Sequence, residues 1–86
     1  MSNSRFIPSI PAKSEDDFDV SAASKLAGYR RYYGVLKVVR RTDGRLLFPF
    51  DGAPELGPFE TRIEAIAAAQ VYGEQLVAGD LAHPEM

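Results

Sequence analysis

The sequence predicts an α+β domain, in which an antiparallel sheet of two or three strands is covered on one face by a C-terminal helix. Three observations lead to this prediction. Residues 32–41 and 45–50 are rich in β-branched and aromatic side chains and are joined by the turn-forming residues 42–44. Residues 61–79 carry apolar side chains at helical spacing after a capping motif. The composition, 45% hydrophobic and 26% charged, is that of an ordinary globular protein.

The chain of 86 residues is long enough for one small domain, which we place at residues 29–80. Residues 1–28 are rich in serine and contain an acidic run, so we predict a largely flexible acidic tail there. Residues 81–86 are predicted to form a short C-terminal tail.

Two apolar patches interrupt the predicted N-terminal tail, the first formed by Phe6, Ile7 and Ile10 and the second by Phe18 and Val20. Either patch could dock on the domain or serve as an extended partner motif. Residues 20–26 could also form one or two helical turns, because Ser21 can cap a helix and Gly28 can end one.

The composition excludes several classes of protein. The chain has no cysteine, so it has no disulfide and no thiolate nucleophile or metal ligand. It has no apolar run long enough to span a membrane, and its first residues lack the pattern of a signal peptide. We therefore predict a cytoplasmic protein that does not insert into membranes.

The length of the hairpin turn determines which side chains face the helix. A two-residue loop would mix apolar and charged side chains on both faces. A three-residue loop that ends at a left-handed Gly44 pairs Val38 with Phe48 instead. The same register pairs Leu36 with Phe50. The predicted inner face then carries Tyr32, Gly34, Leu36, Val38, Leu46, Phe48 and Phe50. The predicted outer face carries Tyr33, Val35, Lys37, Val39, Arg41, Arg45 and Leu47.

Prolines limit the rest of the sheet. Pro49 cannot donate a hydrogen bond to a ladder, so the second strand should lie at an edge or end its pairing near this residue. Residues 55–60 are predicted to form a short third strand that Gly57 and Pro58 interrupt.

The helix is predicted to begin at Thr61 and to end near Gly79. Thr61 and Glu64 have the spacing of a capping box. Gly73 costs a helix about 1 kcal/mol relative to alanine, but on the apolar face it permits close approach to the sheet. The predicted apolar face consists of Ile63, Ile66, Ala69, Gly73, Leu76 and Val77.

The sequence offers no convincing catalytic or metal-binding group. His83, the only histidine, lies near the C-terminus beside a proline, where it would be poorly held as a general base. Glu60 and Glu64 lie at the helix N-terminus, where the unpaired backbone amides favour negative charge. We therefore predict no catalytic residue, no metal and no cofactor.

The net charge of −2 conceals an uneven distribution. Within residues 25–45 only Asp43 is acidic. The basic residues there are Lys25, Arg30, Arg31, Lys37, Arg40, Arg41 and Arg45. The helix and the tail are acidic in turn, so surface ion pairs worth about 0–1 kcal/mol each are one interpretation of this division.

The outer sheet face supports a second interpretation, because it mixes apolar and basic side chains as protein-binding surfaces do. We predict a small non-catalytic binding protein whose partner is another protein or a second copy of the chain. The predicted binding residues are Tyr33, Val35, Lys37, Val39, Arg41 and Arg45, with Arg30 and Arg31 from the neighbouring segment. The alternative is nucleic-acid binding by the same face, through phosphate contacts and base stacking on tyrosine.

A resemblance supports that alternative. Gly57, Phe59, Thr61, Glu64 and Ala65 match a G-x-F-x-T-x-x-E-A segment. Following a hairpin, this segment resembles the start of the packing helix in the three-stranded DNA-binding modules of plant ethylene-response factors and of integrase arm-binding domains. The resemblance implies a sheet that enters the DNA major groove. As a whole, the sequence is similar to short uncharacterised bacterial proteins, which implies no activity.

Overall fold

The computed structural model describes residues 9–83. The parts of the two predicted tails at residues 1–8 and 84–86 lie outside the described residues. The elements are a short 3-10 turn (Glu15–Asp17), β1 (Phe18–Gly28), β2 (Arg31–Arg40), β3 (Arg45–Phe48), β4 (Leu56–Phe59) and α1 (Arg62–Ala82). An antiparallel sheet packed on one face by the C-terminal helix confirms the predicted α+β class.

The sheet has four strands arranged around β2. β1 pairs antiparallel with β2 along its whole length. β3 and β4 share the other edge of β2, where β3 lies opposite residues 38–40 and β4 lies opposite residues 32–34. β2 is therefore the central strand, and β1 forms one complete edge of the sheet.

β1 is the largest correction to the predicted fold. Its 11 residues were assigned to the tail 1–28, with helical turns at 20–26, and the domain boundary at residue 29 is therefore wrong. Alanine, lysine, aspartate and glycine are depleted in strands, and only Phe18 and Val20 favour one, so the segment carries little propensity signal of its own. The ladder with β2 forms it, and its first residue, Phe18, is buried in the core.

The turn between β2 and β3 is one residue longer than predicted. The loop covers residues 41–44 rather than 42–44. Gly44 has a φ of 72°, which confirms its predicted left-handed conformation. The predicted pairing of Val38 with Phe48 is also confirmed.

A bulge in this pairing exchanges the positions of two leucines. Val38 faces Phe48 and Val39 faces Leu46, so Leu47 has no partner in the register. Leu46 consequently lies on the outer face and Leu47 packs against the core, which is the reverse of the prediction.

Phe50 does not reach its predicted place opposite Leu36. β3 ends at Phe48, as predicted, because Pro49 has no N–H group for the ladder. Phe50 is exposed, and its ring packs edge-on against Phe48, with the centroids 5.6 Å apart. The predicted third strand is confirmed as β4.

The helix begins as predicted, since the side chain of Thr61 accepts a hydrogen bond from the Glu64 amide at 3.1 Å. It extends past Gly79 to Ala82, so the first two residues of the predicted C-terminal tail are helical. The buried residues form a row of small side chains: Ala65, Ala69, Gly73 and Val77. Ala69, Gly73 and Val77 belong to the predicted apolar face and confirm that part of it. Ile63, which was also predicted there, is exposed.

Two glycines let the helix and the sheet approach closely. A Cβ atom at Gly73 would lie 3.0 Å from Val20 Cγ1 and 3.1 Å from Leu36 Cδ1, which confirms the close approach predicted there. A Cβ atom at Gly34 of β2 would lie 2.7 Å from the carbonyl oxygen of Ala65. The helix therefore covers one face of the sheet and leaves the other uncovered.

Candidate binding surface

The uncovered side of the sheet is the candidate site, which we call the outer sheet face. Side chains of a strand alternate between the two faces, and directly paired residues share a face. β2 contributes Tyr33, Val35, Lys37 and Val39. The register adds Asp19, Ser21, Ala23 and Lys25 from β1 and Leu46 from β3. Within residues 9–83, no helix or strand packs over this surface.

An apolar row crosses the outer sheet face. Val35 is 44% exposed and Leu46 is 48% exposed. Tyr33 and Val39 are half-buried beside them. Lys37 lies between Val35 and Val39, so the face mixes exposed apolar and basic side chains, as protein-binding surfaces do.

The β1 part of this face was missed by the sequence analysis. Asp19 lies opposite Val39, and Lys25 lies opposite Tyr33. Both charged residues had been assigned to the tail, so nothing placed them beside β2. Asp19 and Lys25 are an even number of residues apart, which places them on the same face of a strand, but only once the segment is known to be extended.

The arginines predicted for the site lie at its two ends. Arg30 is in the turn that joins β1 and β2, with its guanidinium 5.7 Å from the centroid of the Tyr29 ring. Arg31 begins β2, whereas at the other end of β2 Arg41 is the first residue of the turn and Arg45 is the first residue of β3. The ten residues of β2, at about 3.4 Å each, separate these two groups by on the order of 30 Å. The arginines therefore do not form one basic cluster.

Arg40, which the sequence analysis counted only among the basic residues, is fully buried on the inner face. Its Nε and Nη2 atoms donate to the two carboxylate oxygens of Asp43 at 3.1 and 2.8 Å. Its Nη1 donates to both oxygens of Asp80 at 2.9 and 3.1 Å, and Nη2 also donates to Ser9 Oγ at 3.1 Å. These five bonds match the five N–H donors of a guanidinium.

The strand register places Arg45 differently from the prediction. Arg45 is the register partner of Arg40, so it belongs to the row of the inner face and not to the predicted outer row. The signal for burial of Arg40 was its place two residues after Val38, whose side chain was predicted to face the helix. The cluster joins the end of β2 to the turn and to the last turns of α1.

Hydrogen bonds from the Arg40 guanidinium hold the pKa of the Asp43 carboxyl well below its usual range. The backbone amides of Ile10, at 2.9 Å, and Arg45, at 3.1 Å, donate to the same carboxylate and act in the same direction. The bonds to Asp43 in turn raise the pKa of Arg40. The ion pair therefore stays charged at neutral pH.

Acid is expected to weaken the fold through Asp43. Because its pKa is lowered in the folded state, its contribution to stability is present above its unfolded pKa of about 3.9 and is lost as the pH falls below that value. We expect the free energy of unfolding to fall more steeply between pH 5 and pH 3 in the wild type than in Asp43→Asn. Urea titrations at the two pH values measure the difference, and equal decreases would contradict the role of this carboxylate.

Residues 9–83 contain no group of three or more acidic or histidine side chains placed to hold a metal ion. No helix among them is long and apolar enough to cross a membrane. His83 follows the last residue of α1, where its backbone amide donates to the carbonyl of Gly79 at 2.9 Å.

Residues 13–85 match the model of a family of unknown function, DUF6723. No curated protein and no solved structure matches the chain. The matched range includes β1 together with the rest of the domain.

Proposed function

We propose that this chain, which belongs to the DUF6723 family of unknown function, is a small non-catalytic binding protein that contacts a protein partner through its outer sheet face. The observation that carries this proposal is the uncovered apolar row formed by Tyr33, Val35, Val39 and Leu46. Protein interfaces typically combine such an apolar centre with a polar rim.

The charged side chains of the outer sheet face indicate which kind of partner surface would fit it. Lys37 lies within the row of β2, and Lys25 lies beside Tyr33. Asp19, near Val39, is the one acidic side chain of the outer sheet face. Complementarity of charge therefore favours a partner surface on which carboxylates are interspersed with apolar side chains.

Nucleic-acid binding by the same face is the alternative. The exposed side chains of Tyr29, Arg30 and Arg31 favour it, because arginine contacts phosphates and aromatic rings stack on bases. Arg40, however, is engaged by two carboxylates inside the domain. Since the remaining arginines are divided between two ends of the sheet, a protein partner fits the surface better.

We expect Val35→Glu to weaken partner binding about tenfold or more, because it replaces one of the two most exposed apolar side chains of the row by a charged one. Cross-linking in cells that express the chain, followed by mass spectrometry, identifies the partner, and calorimetry with the purified partner measures the affinity. Val71→Glu is the matched control, since Val71 is 52% exposed on the solvent side of α1. Equal affinity of the Val35→Glu variant and the wild type would reject the proposal.

A titration of the chain with oligonucleotides tests the alternative of nucleic-acid binding. Nucleic-acid binding predicts shifts in the backbone resonances of residues 33–39 and an affinity that falls with salt at a log–log slope of about −0.9 per duplex phosphate contacted. Unchanged spectra at low salt with duplex and single-stranded DNA exclude it.

A further inference from the structure

The outer edge of β1 has no partner strand within residues 9–83. The strand is 11 residues long, is mostly exposed and contains no proline. Proteins usually protect such long edges, because their unpaired N–H and C=O groups can pair with another strand. An open groove between β1 and α1, lined in part by Val20, Ala22, Gln70 and Glu74, leaves this edge accessible from the helix side.

We propose that this edge binds a second copy of the chain, with the two β1 strands antiparallel about a two-fold axis at Ala22. A two-fold axis between antiparallel edge strands makes every contact reciprocal and pairs side chains on the same face of the sheet. In the register centred on Ala22, Asp19 of each copy lies opposite Lys25 of the other. Two ion pairs then cross the junction.

The positions of the charges select this register. Asp19 and Lys25 are the only charged residues of β1, and both lie on the outer sheet face. They are equally distant from Ala22 along the strand. A register centred on Ser21 or Ala23 instead places Asp19 opposite an alanine and loses both ion pairs.

The same register brings the two sheets together edge to edge. It places Leu26, which is 63% exposed, opposite Phe18 of the other copy, whose side chain is buried in its own core. It also joins the two four-stranded sheets into one sheet with both helices on the same side. The two outer sheet faces become continuous, but the junction does not depend on the partner proposed above.

Charge reversal at these two positions tests the register. Sedimentation equilibrium of the full chain should show a dimer for the wild type, and Asp19→Lys and Lys25→Asp should each weaken it about tenfold or more, since each replaces two attractive pairs by two repulsive ones. An equimolar mixture of the two variants should form a heterodimer. The Asp19→Lys chain then carries Lys at positions 19 and 25, and both face Asp side chains of the Lys25→Asp chain. Circular dichroism verifies that each variant is folded.

Val35→Glu separates this proposal from the proposed function. Val35 lies on β2, one strand away from the junction, so this variant should lose the protein partner and keep the dimer. A dimer lost in Val35→Glu but kept in both charge variants would show that the outer sheet face itself associates, which overturns the edge pairing. A wild-type monomer at the highest soluble concentration, or two charge variants that do not combine when mixed, would also overturn it.

Discussion

Arg40→Met is expected to lower the free energy of unfolding by about 3–5 kcal/mol, the range for removing one partner of a buried ion pair. The side chains of Asp43 and Asp80 are 2% and 10% exposed, so both carboxylates would lose their counter-ion away from water. A single core of this size supplies roughly 3–5 kcal/mol in total. The variant is therefore expected to be largely unfolded at 25 °C.

Two further variants isolate the cause. Arg41→Met removes the same kind of side chain from the next, exposed position and should change stability by no more than about 0.5 kcal/mol. Adding Asp80→Leu to Arg40→Met should recover part of the loss, because it removes a carboxylate that has lost its counter-ion. The remaining carboxylate, Asp43, still accepts hydrogen bonds from the amides of Ile10 and Arg45. Thermal and urea unfolding followed by circular dichroism measure all of these variants. A fully folded Arg40→Met variant of wild-type stability would show that the cluster does not hold the domain together.

The parts of the fold that could be predicted are those with a local signal. Alternation in β2 identified its two faces, and the Thr61 cap identified the start of α1 because a side-chain hydrogen bond within four residues defines it. The half of the outer sheet face that lies on β2, from Tyr33 to Val39, follows from the same alternation.

The parts that were missed depend on contacts between distant residues. β1 has little strand propensity and forms because β2 lies beside it. The bulge that moves Leu46 outward arises in the pairing of two strands, so neither strand encodes it alone. Asp80 meets Arg40 only after the helix has packed on the sheet. The β1 half of the candidate surface, with Asp19 and Lys25, was missed for the same reason.

Gly34→Ala is expected to lower the free energy of unfolding by about 1–3 kcal/mol, the usual cost of overpacking. The new methyl group would lie 2.7 Å from the carbonyl oxygen of Ala65, and also 3.2 Å from Ala69 Cβ and 3.3 Å from Leu56 Cβ. The oxygen belongs to the backbone of α1, so the helix itself must move away from β2. In an open strand, alanine would be favoured over glycine by roughly 0.5–1 kcal/mol, so packing is expected to reverse the usual sign.

Two other glycines of the chain provide the comparison. At Gly73 an added methyl group meets side-chain atoms of Val20 and Leu36 at 3.0 and 3.1 Å rather than backbone, so a shift of a few tenths of an ångström relieves the contact and the gain of about 1 kcal/mol in helix propensity offsets it. At Gly79 nothing lies within 4 Å, so Gly79→Ala should raise stability by up to about 1 kcal/mol. Urea titrations should therefore order the variants with Gly34→Ala least stable, Gly73→Ala near the wild type and Gly79→Ala most stable. If Gly34→Ala matched Gly79→Ala, the helix could not lie in direct contact with β2, and the division of the sheet into a covered and an open face would lose its basis.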